Sequence, residues 1–137
     1  MTRALVLLLL LAAAVGCTSP ARPGPAAEQI VSIQLSVNAF PDGAGRDGRC
    51  QATLTKQPDI NDVLTWLHSV DWSQSGQDMA VIGLPSPDGG VQINAKDGTA
   101  IRFGFFWDGK VVHDQANRLL TDANTTTLRA VALRVCQ

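Results

Sequence analysis

Two Asp-Gly pairs stand between alternating runs in the second half of this 137-residue chain. Val91 to Ala95 alternates, Asp97-Gly98 follows, Ala100 to Trp107 alternates, Asp108-Gly109 follows, and Lys110 to His113 returns. Asp-Gly flanked by such runs is a strong hairpin signal, because a tight turn needs residues that tolerate positive φ. Two in succession predict a three-stranded antiparallel meander. Its inner face is expected to hold Val91, Ile93, Ile101, Phe103, Phe105 and Trp107. Whatever else the chain does, it must cover that face.

The remaining pattern supplies partners for it. Ile30 to Ala39 alternates, with Val31, Ile33, Leu35, Val37 and Ala39 on one side and Ser32, Gln34, Ser36 and Asn38 on the other. That is a strand with one wet face. A second strand follows the loop that ends at Gly48, with Cys50, Ala52 and Leu54 inward and Gln51, Thr53 and Thr55 outward. Pro58 suits the first turn of a helix. Ile60, Val63, Leu64 and Leu67 then recur at helical spacing, ending near Val70. Met79 to Leu84 reads as a short strand that Pro85 to Gly90 breaks. Thr121-Asp122 is a plausible cap for a helix carrying Leu128, Val131, Ala132 and Val135. Three threonines at 125 to 127 weaken that helix by propensity, so a closing strand over 128–135 is the alternative. The order predicts an α+β domain, an antiparallel sheet of about 5–6 strands with one or two helices packed on one face.

The N-terminus reads differently. Arg3 precedes twelve apolar residues, Ala4 to Val15. A bilayer-spanning helix needs about 20. Twelve fits the apolar region of a secretory signal. The run closes in Ala14-Val15-Gly16-Cys17. This segment resembles the lipobox of bacterial lipoproteins. The resemblance implies that Cys17 becomes the first mature residue and carries lipid on its sulfur and its amine. Leucine is the more usual residue where Ala14 stands, and an ordinary signal with an incidental cysteine is the other reading. Thr18, where an aspartate would favour inner-membrane retention in that class, implies the outer membrane facing the periplasm in a host with two membranes. The resemblance covers the targeting segment alone. Pro20, Pro23 and Pro25 then prevent helix and mark an extended tether. The expected organisation is a signal over 1–16, a lipidated cysteine and tether over 17–27, and one domain over 28–137.

With Cys17 assigned to lipid, Cys50 and Cys136 remain, an even pair in an exported chain. A Cys50–Cys136 disulfide is expected, in a structural role. No C-x-x-C is present, so thioredoxin-like redox chemistry has no support.

Signals for catalysis are sparse. His68 and His113 are the two histidines, and neither has an i+4 histidine for metal ligation. His113-Asp114 is a conceivable base and acid, but neighbours on a strand point to opposite faces. Asp88, Asp97 and Asp108 precede glycine, which is turn chemistry, and Asp42 to Gly48 lacks the ligand spacing of a calcium loop. No cofactor or metal is expected. The formal net charge of −1 and the scatter of arginines exclude a strongly basic nucleic-acid binder. One hint of binding lies in Phe106, expected on the outward side beside Arg102 and Gly104, with Trp72 in a polar loop. Exposed aromatics with arginine suit a hot spot, and Gly104 leaves a gap for a partner. A second small core that buries Phe106 is the bland alternative.

The reading that follows is a small, monomeric, lipid-anchored envelope lipoprotein. Its domain would bind a protein or cell-wall ligand without catalysis, a hydrolase inhibitor being one version. A structural accessory of an envelope complex and a small hydrolase using His113 and an aspartate are the alternatives.

Overall fold

A computed structural model describes residues 24–40, 49–70, 77–78, 86–113, 118–120 and 123–136. After a 3-10 turn at Ala27–Gln29 come β1 (Ile30–Val37), β2 (Cys50–Leu54), α1 (Gln57–Ser69), β3 (Gln77–Asp78), β4 (Gly89–Ala95), β5 (Ala100–Phe105), β6 (Val111–His113), β7 (Arg118–Leu120) and α2 (Thr126–Val135). The strands form one antiparallel sheet in the order β2-β1-β4-β5-β6-β7-β3. Both helices contribute to the apolar cluster on one face of it. The class is α+β, as the sequence pattern implies. Short β7, with no alternating pattern to announce it, and two-residue β3 raise the strand number to seven. The strand expected at Met79 to Leu84, the loop of Asp42 to Gly48 and the cap at Thr121-Asp122 lie outside the described residues.

The meander β4-β5-β6 forms on its two Asp-Gly turns. Each turn is a three-residue loop, one longer than the tightest hairpin. Gly98 N–H donates to Ala95 O at 3.0 Å, and Ala95 N–H donates to Thr99 O at 2.9 Å. Gly109 and Phe106 repeat the pattern with Phe106 and Lys110, at 3.1 and 2.9 Å. Lys96-Asp97 and Trp107-Asp108 therefore form the turn centres. The glycines follow in left-handed conformation, at φ 85° and 97°. Asp97 Oδ1 accepts from the Thr99 hydroxyl at 2.7 Å and from its N–H at 2.9 Å. These bonds, the hydroxyl first, hold the Asp97 carboxyl below its ordinary value. The Lys110 ammonium does the same for Asp108. Both contributions are present above the ordinary carboxylate range and are lost as pH falls through it.

β1 lies between β2 and β4. Its inward set differs from simple alternation at one point. Pairing with β4 slips between Ile30 and Ser32, so Ile30 turns inward and Val31 is left 54% exposed. A bulge of this kind inserts one residue and flips those beyond it. Ala39 lies beyond the strand and is exposed.

Ile60, Val63, Leu64 and Leu67 of α1 are buried as their spacing requires. Trp66, at the flank of that stripe, is fully buried too. It meets Phe105 edge-on, with centroids 6.0 Å apart. Phe105 in turn needs Gly89, where an added Cβ would stand 2.2 Å from the phenyl ring. Gly89 and Gly90 are thus part of β4, which begins two residues before the alternation does. The 128–135 segment is helical, not a closing strand. α2 starts at Thr126, whose N–H donates to Asn124 Oδ1 at 3.0 Å, and Leu128, Val131 and Ala132 are buried. Side-chain capping offsets the poor propensity of the threonines. Arg134 of α2 pairs with Asp59 and Asp62 of α1 at 2.5 and 3.2 Å. Cys136 is bonded to Cys50, with Cα atoms 5.7 Å apart, which ties the edge strand to the end of α2.

Two outcomes follow for stability. The double replacement Cys50→Ser, Cys136→Ser should lower unfolding free energy by about 4 kcal/mol in the chain-entropy limit, read by urea denaturation. Gly109→Ala should cost about 1–2 kcal/mol from left-handed backbone alone. Its Cβ would also press to 3.0 Å from Ala123 O, whereas Gly98 has open space. Gly109→Ala should therefore melt below Gly98→Ala in a thermal scan.

Candidate functional site

Alternation leaves a second face on β2, β1, β4 and β5. Register lines it up in rows. Thr53, Gln34, Gln92 and Arg102 stand side by side across the four strands, and Gln51, Ser36, Gly90 and Gly104 form the next row. Arg102 is the single charged residue in these four strands. Gly90, without a side chain, lowers the middle of the surface into an open trough of about 790 Å³. Gln34, Ser36, Gln51, Thr53, Gln92 and Arg102 are among its lining, which includes no carboxylate.

Arg102 is held in place. Its Nε–H donates to Gln92 Oε1 at 2.7 Å. The Gln92 amide donates to Asn94 Oδ1 at 2.8 Å, and the Asn94 amide donates to Ser32 Oγ at 3.2 Å. Three strands thus contribute to one chain of hydrogen bonds with a single direction. Bonds in such a chain reinforce one another. Among the described residues none accepts from the two Nη groups of Arg102. These form the planar edge that guanidinium offers to an anion.

The residues expected to bind fare differently. Arg102 is exposed on the open face. Gly104 does not leave a gap for a partner, since Pro87 occupies it. A Cβ added at Gly104 would lie 3.0 Å from Pro87 Cγ. Phe106 is not an exposed aromatic. It is 7% exposed and opens the turn that follows β5. Phe106 and Val112 are buried outside the main cluster, in keeping with the second small core. Trp72 and Cys17 lie outside the described residues. Cys50 and Cys136 form the structural bond described above.

His113 packs its ring on Phe103, with centroids 5.0 Å apart and Nε2 out of solvent. Its cross-strand position opposite Phe103 sets that contact. Asp114 is outside the described residues. Asp88 accepts from Trp107 N–H at 2.9 Å, and Asp59 and Asp62 pair with Arg134.

The trough residues were visible as outward positions of alternating strands. What marks them is composition, amides and hydroxyls with a lone arginine, where a solvated sheet face ordinarily mixes charges of both signs. Comparison with known protein families, curated proteins and solved structures finds no match.

Gln92→Ala should cost no more than about 1 kcal/mol of stability, the net worth of a partly exposed hydrogen bond. It should nonetheless speed solvent exchange of the Arg102 Nε proton, measured by NMR.

Proposed function

We propose that this protein is a lipid-anchored envelope lipoprotein whose domain binds a ligand on the open face of its sheet without transforming it. The supporting observation is the trough itself. It is a polar depression facing away from both helices, lined by hydrogen-bonding groups and one guanidinium whose orientation is set in advance. Preorganised groups lose little freedom on binding. The Ala14-Val15-Gly16-Cys17 segment supports the anchor, and the prolines after it would hold the domain off the membrane surface. Lipid on both the sulfur and the amine gives more than one chain, which is what firm anchoring requires. The envelope location, outer membrane included, rests on the same segment.

Two measurements test the two halves. Cys17→Ser should abolish incorporation of radioactive palmitate, and persistent labelling overturns the anchor. A photo-crosslinking residue at Thr53, in the full chain in its own membranes, should yield adducts. The same residue at Leu133, exposed on α2, should not. Equal adducts from both positions, or none from Thr53, overturn the assignment of the open face.

A further inference from the structure

We infer that the ligand presents a carboxylate to Arg102, and that its chemical class is an extended peptide ending in a free carboxyl group. This rests on the proposed use of the open face and names what the face takes.

Charge decides first. The four strands carry one positive charge and no negative one, and the trough lining holds no carboxylate. The guanidinium therefore has no compensating anion within the site. Its Nε is already committed to Gln92 at 2.7 Å. The Nη edge is left for an incoming group, and two parallel N–H donors match the two oxygens of a carboxylate. A phosphate monoester carries up to two negative charges at neutral pH and is ordinarily met by several cations or a helix N-terminus. A single arginine on a sheet face suits a monoanion.

The neighbours decide the rest. Gln34 and Thr53 continue the row that holds Arg102, and Ser36 and Gln51 flank it. Amide and hydroxyl side chains both donate and accept, which is what a peptide backbone requires along its length. A sugar ring would want an aromatic platform. The four strands' outward rows contain none, since Phe103 and Phe105 point to the core and Phe106 is buried. Ser36 Oγ donates to Gly90 O at 3.3 Å, which keeps the floor flat beside the arginine. Gln92 is a positioning residue in this scheme. It aims Arg102 and is itself aimed by Asn94.

The test uses the full chain in detergent micelles, titrated with N-acetyl-alanyl-alanine and followed by NMR at backbone amides and arginine Nε. The dipeptide acid should shift Gln34, Gln92 and Arg102. Its carboxamide should bind roughly tenfold more weakly or not at all, and rising salt should weaken the acid. Arg102→Gln should erase the preference for acid over carboxamide with the spectrum otherwise retained. Arg102→Lys should restore only part of it, because an ammonium lacks the planar fork. Gln92→Ala should weaken acid binding several-fold while changing the Arg102 Nε signal before any ligand is added. Equal binding of acid and carboxamide overturns the inference, as does acid binding unchanged by Arg102→Gln. Shifts produced by galacturonic acid and not by the dipeptide would replace the peptide with a sugar acid. Silence from every probe, with adducts at Thr53 intact, would discard the carboxylate and leave the open face standing.

Discussion

Phe105 needs a hole in the neighbouring strand, and Gly89 provides it. No side chain fits at Gly89, because its Cβ would collide with the phenyl ring. From that seat the ring meets Trp66 of α1 on one side and Trp107 at 4.8 Å on the other. Trp107 then stacks on Phe40 at 6.3 Å, and its indole N–H donates to Ala39 O at 2.6 Å. The same residue's backbone N–H holds Asp88, whose carbonyl accepts from Asn38 and Ala39. Asp88 is next to Pro87, and Pro87 covers Gly104 at the end of the trough. One aromatic seat on the buried side thus governs where the open side ends.

The distribution of charge separates framework from surface. Among the described residues, Asp97 and Asp108 close hairpins, Asp59 and Asp62 hold Arg134, and Asp88 accepts from the Trp107 N–H. The Lys110–Asp108 and Arg134–Asp62 pairs are exposed and contribute little individually. Their placement keeps carboxylates out of the trough lining. The face that remains is wet enough to need no cover, and its one cation is aimed by neutral amides. Amides orient a guanidinium without cancelling its charge, which a carboxylate in the place of Gln92 would do.

Much of this architecture is legible from period alone. Alternation places Ile33, Leu35 and Val37 inward, and helical spacing places Ile60, Val63, Leu64 and Leu67. Misplacements arise where a local event breaks the period. The bulge at Val31 reverses one side chain, whereas Phe106 lies outside the main cluster and is covered there, as is Val112. β7 is too short to show a period, being three residues long. Trp66 sits off the helical stripe, yet its size lets it reach the core from the flank. The trough was hidden for a different reason. Its rows join residues from four strands, and cross-strand register depends on the pairing of β1 with β4 and β2, not on any one segment. Arg102 was legible as a candidate, while its support from Gln92, Asn94 and Ser32 required that register.

The bond between Cys50 and Cys136 divides the chain into a ring and a lead. β2 and every later element belong to the ring, whereas β1 precedes it. Yet β1 occupies the slot between β2 and β4. Thus a strand from outside the covalent loop separates two strands within it. Unfilled, that slot exposes two strand edges that can pair with each other or with another chain. Oxidation therefore has a right moment. A bond made after β1 docks locks the slot around its occupant, while one made earlier leaves an open ring whose edges seek the wrong neighbours.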